Sequence, residues 1–488
     1  MKKIVNPGSG KCFALLFSVV LLLCSASAAH SQDGRPQVWS LEDCILYAWS
    51  NNIQVKQQQL STQLSKLQYN QSIAAMAPTV NGNITNVYNY GQTLDMYTNE
   101  FATNEVRSNN FALSSNVVLF SGLQMLNTMK QKRLDFLASS YDFEQMKNDI
   151  ALTIATSYLQ VLYNMEMLDV AKGQIDITLQ QVERTRVLVT AGALANGNLL
   201  TLEAQLAGEE LNLVNAQNQL DLSVLTLSQM LDLPSPQGFE IVKPAVIMPD
   251  ASALLGNPSD IYQKAVTLQP GVKSAEVKVQ SARKGLSIAY GALSPTLALS
   301  GSWGTGYSGA STEVTGYTLG EPIPIGYTGT TLETVYGPTF DYTRQTRPFS
   351  DQIKDNENKS IGLYLSIPIL NRWQVQTGIR TARVQMKMSE LNLQNTQNNL
   401  NKTIQQAHAD AIAALNRYRA AEKSVSAYEE AFKYTQQKYD VGLVNSIDFN
   451  DAKNKLAKSR SDLLQSKYEY VFRIKVLDFY QGKPLNLN

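Results

Sequence analysis

The chain has 488 residues, a formal net charge of +1 and only 17% charged residues, against about 25% in an ordinary soluble protein. A balance so close to neutral leaves no electrostatic footprint for nucleic acid, and no nucleic-acid partner is expected. Length alone suggests roughly three ordinary domains, a count that a duplication or an elongated architecture overrides.

Residues 1–31 read as a signal peptide. Lys2, Lys3 and Lys11 form a basic start, 13–23 an apolar run, and 25–31 a stretch of small side chains. The apolar run falls well short of the roughly 20 residues that span a bilayer as a helix. Cleavage after Ser31 suits the small Ala29 and Ser31, with Ala28 and Ala29 as alternative points. Leu23 before Cys24 lacks the small side chain that lipidation requires. Once the leader is removed only Cys44 remains, so no disulfide can form within the chain. No later stretch is long and apolar enough for a membrane helix, so any membrane part must be made of strands.

A first unit is expected over 32–234. Ser40 and the acids Glu42 and Asp43 mark a helix start, and the helix is expected to run to about residue 76, before Pro78. Extended segments follow, with apolar or aromatic side chains alternating with small polar ones around 80–90 and 111–119. A long helical pattern then covers 123–189, with Gly173 as its weak point and an apolar stripe through Leu134, Leu137, Tyr141, Ile150 and Ile154. Two glycines in 190–197 break it, and a further helix covers 198–230 before Pro234 and Pro236 close the unit. A proline-rich linker, 235–258, leads to a second unit over 259–488.

The second unit repeats the first. Pairing each residue with the one 250 further on aligns 119–234 with 369–484 without a gap, and Gly192 meets Gly442 while Pro234 meets Pro484. Upstream the offset is 217, which brings Pro78 and Thr79 onto Pro295 and Thr296. The difference makes the second copy 33 residues longer, as an enlarged hairpin loop over 306–356 rich in Gly, Tyr and Thr. Coinciding glycine and proline punctuation marks a true duplication.

The long helix would measure about 100 Å at about 1.5 Å per residue, close to the two shorter helices laid end to end. Such stacking beside continuous rods makes a cylinder wall, and abundant Ala, Ser, Asn and Gln on the helices permits close lateral packing. The strands of the second copy alternate cleanly: Leu297, Leu299, Gly301 and Trp303 against Thr296, Ala298, Ser300 and Ser302, then Ile361, Leu363, Leu365 and Ile367 against Ser360, Gly362, Tyr364 and Ser366. An ordinary half-buried sheet alternates in the same way. An exported chain with rod-like helices favours a lipid-facing wall around a wet lumen. Four strands cannot close a membrane barrel, which needs at least about eight, so a ring of two or three copies is expected.

These features together resemble the TolC family of outer-membrane efflux and secretion channels. The most specific match is the second tip, where Tyr439 precedes Gly442 by three and Asp448 and Asp451 follow it by six and nine. Ser294-Pro295-Thr296 entering the third strand and Pro368-Ile369-Leu370 leaving the fourth match as well. The resemblance implies a fold that is mainly α with a membrane β part: a duplicated helical coiled-coil barrel, plus four strands per protomer forming a 12-stranded barrel in a homotrimer. It implies the outer membrane of a Gram-negative bacterium as location, with the helical tunnel in the periplasm and 235–258 in a girdle near its middle. It also implies a passive exit duct contacting outer-membrane lipid, a periplasmic adaptor, and an inner-membrane pump of RND or ABC type. Opening would come from untwisting of the inner tip helices.

By the same resemblance Asp448 and Asp451 would form acidic constriction rings favouring cations, Tyr439 would hydrogen-bond Asn198 to hold the gate shut, and Gly192, Ala193, Leu194, Gly442, Leu443 and Val444 would meet the adaptor. Each position also has a plain structural reading. Acids in a first helical turn favour the positive helix end, tip glycines end helices, and Tyr439 can simply pack. Val444 stands where the best-known member has an arginine, and Asn198 where it has an aspartate, so the gate should be built differently here. Gly304, Gly306 and Gly309 have dinucleotide-loop spacing but no following helix. His408 is the one histidine left after processing, so no metal site, cofactor or catalytic constellation is expected. Multidrug efflux and type I secretion of a polypeptide both stay open, and a structural envelope coiled-coil protein is the competing class.

Overall fold

The computed structural model describes residues 38–102, 105–233, 235, 237–244, 248 and 256–485. The predicted leader, Pro234, and residues 236, 245–247 and 249–255 of the linker lie outside them. The elements in order are α1 (Leu41–Asn51), α2 (Ile53–Ala74), β1 (Thr79–Asn89), the short β2 (Thr93–Leu94) and β3 (Phe101–Ala102), β4 (Val106–Ser121), α3 (Gln124–Thr190) and α4 (Asn196–Met230). The second copy has α5 (Pro258–Leu268), α6 (Pro270–Gly291), β5 (Thr296–Ser308), β6 (Thr312–Leu319), β7 (Ile323–Tyr327), β8 (Thr334–Gly337), β9 (Phe340–Thr346), α7 (Phe349–Asp355), β10 (Asn358–Ser366), α8 (Gln374–Asp440) and α9 (Ser446–Tyr480). Both long helices have 67 residues and both descending partners 35, so the duplication is a structural one.

One expected element is divided. The helix foreseen from 40 to 76 breaks at Asn52, whose extended ψ of 132° ends α1 and whose side chain caps α2 by accepting from Gln54 N and Val55 N. The second copy breaks at the equivalent point, 217 residues on, where Gln269 precedes Pro270 and proline cannot continue the helix. The break serves a joint in the wall. Asn52 Nδ2 donates to Met230 O at 3.0 Å, and Met230 Sδ lies 3.0 Å from the hydroxyl of Ser157, midway along α3. So α4 ends where α2 begins, at the middle of α3. Helix α1 packs on that joint with Trp39, Tyr158, Leu162, Leu227, Phe239 and Ile241 as a hydrophobic waist. Burial there pushes the Cys44 thiol up to about 12. Linker residues reach the same waist: Trp39 bridges Ile241, and Tyr158 OH donates to Val242 O at 2.7 Å.

The four long strands form one sheet in the order β1-β4-β5-β10, antiparallel throughout. Its two hairpins have the same register, Thr79 opposite Asn116 and Thr296 opposite Ser366, as both offsets require. Cross-strand partners share a face, so one face carries Ile84, Phe111, Leu113, Trp303, Leu299 and Leu363, and the other Asn83, Ser114, Asn116, Ser300, Ser302 and Ser360. The foreseen alternation therefore continues across all four strands. The enlarged loop is more ordered than its composition suggests: β6–β9 and β7–β8 pair into ribbons, and Gln352 of α7, fully buried, bonds Ser308 through both its backbone N–H and its carbonyl.

Among the described residues no helix is long and apolar enough to cross a membrane. The helices pack side by side into a wall instead. In the upper half α6 lies between α3 and α8, held by Ser274 to Asp142 (2.6 Å) on one side and Arg383 to Tyr290 (2.7 Å) on the other. In the lower half α9 lies between the same two, held by Tyr468 to Glu166 (2.8 Å) and Arg417 to Glu469 (2.8 Å).

Candidate functional site at the helical tips

Each pair of lower helices ends in the same turn. Gly192 and Gly442 have φ of +75° and +77°, a region that costs other residues strain. Their N–H groups donate to Val189 O and Tyr439 O, and the following N–H groups of Ala193 and Leu443 reach Leu188 O and Lys438 O, closing both helix ends alike. A Cβ on either glycine would meet nothing within 4 Å, so backbone conformation alone demands glycine there. The entries into the second helices differ. Asn445 Oδ1 accepts from Asp448 N at 2.9 Å, whereas Ala195 offers α4 no side-chain cap.

Asp448 and Asp451 are both exposed in the first turns of α9. Asp451 pairs with Lys455 one turn on at 2.6 Å, and that hydrogen bond and charge raise the lysine's pKa. Val444 is half-buried, and Ala193, Leu194 and Leu443 are exposed, as are Val441 and Ile447 beside them. Both tips thus present aliphatic side chains to their surroundings.

Tyr439 stacks on the buried Phe449, ring centroids 4.7 Å apart, and Phe432 packs on the same ring. The guanidinium of Arg184 lies 5.9 Å from the Tyr439 ring centre. Arg184 also pairs with the Asp440 carboxylate and donates to Asp440 O at 2.9 Å. The half-buried Asn198 has its N–H on Ala195 O; no hydrogen bond between Asn198 and Tyr439 occurs among the described residues. The link between the two tips therefore runs from α3 to the end of α8 through Arg184, a residue the sequence reading did not single out.

A second link lies deeper. Lys453 on α9 is 1% exposed and donates to both Glu209 on α4 and Thr178 on α3. The Thr178 hydroxyl and the Gln205 amide also donate to Glu209. A sequence signal existed: Phe449, Lys453 and Leu456 fall on one helical stripe, as do Leu202, Glu209 and Leu213, so each charge stands in an apolar row. Farther up, a groove of about 590 Å³ between α3 and the α8–α9 pair is lined by Asp169, Val170, Gly173, Lys243, Val425 and Arg460. Helix α3 runs through Gly173 unbroken.

Duplicated helical hairpins, one continuous half-amphipathic sheet and matched helical tips define an elongated envelope protein with a membrane sheet and a helical stalk. The family model described as "Outer membrane efflux protein" matches residues 46–232 and 261–473, one segment in each copy, and the chain belongs to that family. It is similar to the outer membrane protein TolC of Escherichia coli K12, 22% identical over 354 residues that cover 70% of this chain and 63% of that protein, under two thirds of its length. The outer membrane efflux protein BepC of Brucella suis is 20% identical over 467 residues, covering 94% of this chain and 88% of the relative. The solved outer membrane protein VceC of Vibrio cholerae superposes with a TM-score of 0.70 at 14% identity, covering 91% of this chain and 96% of the other, which speaks for the fold. The protein is accordingly an outer-membrane protein of a Gram-negative bacterium, its sheet the membrane part and its long helices the periplasmic part.

Proposed function

We propose that this protein is the passive, gated exit duct of a tripartite efflux system that exports small molecules across the periplasm and outer membrane, working as a homotrimer and doing no covalent chemistry. One observation carries the reading: the chain contains a finished copy of the seam its two free edges lack. Inside the chain, β4 pairs with β5 and α3 packs on α6. The edges are β1 with α2 on one side and β10 with α8 on the other. By the two offsets these are the same elements from the opposite copies. Leu60 and Met388, 62% and 58% exposed, stand where the internal seam has Val277 and Ala138, 8% and 2% exposed. A seam joining β10 to β1 of the next copy is heterologous and closes only as a ring. Three copies give twelve strands, bounded outside by outer-membrane lipid.

In that ring the tips converge. Asp448 and Asp451 line a narrow acidic mouth, with Lys455 tempering the charge of Asp451. Gly192, Ala193, Leu194, Gly442, Leu443 and Val444 offer exposed aliphatic turns to a periplasmic adaptor, and an RND or ABC pump in the inner membrane supplies the energy. Tyr439 holds its own hairpin through Phe449; Asn198 lies beside the mouth as a neutral member of the gate.

The internal pairing of Asn116 with Ser300 predicts Ser366 opposite Asn83 of the next copy. Cysteines at Ser366 and Asn83 should cross-link the purified protein into a ladder ending at three copies. Cysteines at Tyr364 and Asn83, two residues out of register, should not. The cross-linked trimer should conduct in a planar bilayer, with higher single-channel conductance once Asp448 and Asp451 are both replaced by alanine. A ladder without conductance would leave a structural spacer, and the absence of a ladder would sink the ring.

A further inference from the structure

We infer that Lys453, Glu209 and Thr178 form a fulcrum: they hold the α8–α9 pair against the α3–α4 pair while the tips below them swing. The inference rests on the duct reading and adds where the moving part of the wall ends.

The two pairs of helices are joined near their tips by two links of opposite character. The lower one, Arg184 to Asp440, has side chains 42% and 46% exposed. Water competes for both groups, and such pairs contribute little and are weakened by salt. The upper one lies seven residues beyond Ser446, the start of α9, about 10 Å along the helix from the turn. There the ammonium of Lys453 and the carboxylate of Glu209 are out of solvent, with side chains 1% and 9% exposed. Separating them would strand two charges in an apolar wall, which costs far more than parting an exposed pair.

The surroundings sharpen the contrast. Thr178 satisfies the clasp from a third helix, so three helices and both copies of the repeat meet at one point. On α3, the side-chain carbonyl oxygens of Gln174 and Gln181, one turn to either side of Thr178, are buried and have no hydrogen-bond partner among the described residues. The clasp is therefore an isolated strong node in a seam that is otherwise imperfectly satisfied. Above it the seam tightens again through Tyr468 and Glu166 and then the waist. Below it Val187, Val441, Leu443 and Ile447 are exposed. Displacement of one tip against the other accordingly breaks the Arg184 link and pivots at Lys453.

The test uses two cross-links in the full-length protein. Gln205 Nε2 lies 3.5 Å from Asn454 Oδ1 beside the clasp, so cysteines at Gln205 and Asn454 join α4 to α9 at the fulcrum, removing the Gln205 amide's bond to Glu209 but keeping Lys453, Glu209 and Thr178 themselves. Cysteines at Arg184 and Asp440 join the tips. In planar bilayers the upper cross-link should leave channel openings within about two-fold of the reduced protein, and the lower one should suppress them at least about ten-fold, reversibly on reduction. Closure by the upper cross-link, or indifference to the lower one, would overturn the fulcrum. Should the reduced protein never conduct, the duct reading fails and hydrogen exchange still decides the pivot. Amides of 440–450 should exchange at least about ten-fold faster than those of 456–466. In the apolar replacement Lys453→Met with Glu209→Leu, which strands no charge, that boundary should move upward. Uniform exchange, or a boundary unmoved by the double replacement, would also overturn it.

Discussion

The two copies reach the same backbone with different residues, and they differ where one copy's seam is internal and the other's is a free edge. At the junction of sheet and stalk, Gly122 and Leu123 adopt left-handed conformations before α3, and Arg372 and Trp373 do so before α8. In the first copy the glycine is sterically required: a Cβ on Gly122 would stand 2.2 Å from Gly291 O, and one on Gly291 would stand 2.5 Å from Gly122 O. The equivalents at the free edges are Arg372 and Ala74. The conformation belongs to the turn, while the demand for glycine comes from the neighbour pressed against it.

Exchanging residues across that comparison should give the largest effect. Gly122→Ala meets both a left-handed φ and a backbone oxygen well inside van der Waals contact, and it should cost at least about 3 kcal/mol. Arg372→Gly removes an unfavourable conformation and should stabilise the stalk by about 1 kcal/mol. Thermal loss of helical circular dichroism measures both. Equal and small effects would show that the internal seam is no tighter than the edges.

The next effect concerns the clasp. Lys453→Met alone leaves Glu209 buried without its partner and should cost roughly 3–5 kcal/mol, and adding Glu209→Leu should recover most of it. Arg184→Ala, at the exposed link, should change stability by less than about 1 kcal/mol. Denaturation followed by tryptophan fluorescence at low and high salt would rank the three. A loss for Arg184→Ala as large as that for Lys453→Met would erase the distinction between the links.

The same comparison shows why some of the molecule could be read from its sequence. Repeat, strand alternation and tip turns were legible because Gly192, Gly442, Pro295 and the β-strand pattern are residue types with few structural uses. Pro270 announces the break between α5 and α6. Asn52, which makes the identical break in the first copy, sits in a polar run where asparagine signals little, and its role appears only when Met230 reaches it from 178 residues away. The tip links were hidden for a related reason. Arg184 and Asp440 are 256 residues apart, and an exposed arginine on a polar helix looks like any other. Lys453 left a trace, a charge in an apolar stripe, which acquires meaning only with Glu209 opposite it. Asn52→Ala should cost about 1–2 kcal/mol through lost capping, and Pro270→Ala less than about 1 kcal/mol, because alanine also suits a first helical turn.

The smallest expected effect lies at the lower end of that joint, where Asp232 in the first copy stands at the place of Gly482 in the second. Both have positive φ, +53° and +81°, and both end their helices in the same turn. Asp232 compensates for its strained conformation by accepting the Ile53 N–H at 2.9 Å, which satisfies the first turn of α2. Asp232→Gly should relieve about 1 kcal/mol of backbone strain and lose about as much in the hydrogen bond, for a net change near zero. The reverse exchange is not neutral. A side chain on Gly482 would put its Cβ 2.9 Å from Leu268 Cδ1, at the end of α5, and an aspartate there would find no N–H to accept, because Pro270 stands where the first copy has Ile53. Gly482→Asp should therefore destabilise by about 1 kcal/mol, since the leucine tip can move aside. If the two exchanges proved symmetric, the waist of the two copies would be interchangeable, and the asymmetry of the protein would be confined to its sheet–stalk junction, its tips and its external loop.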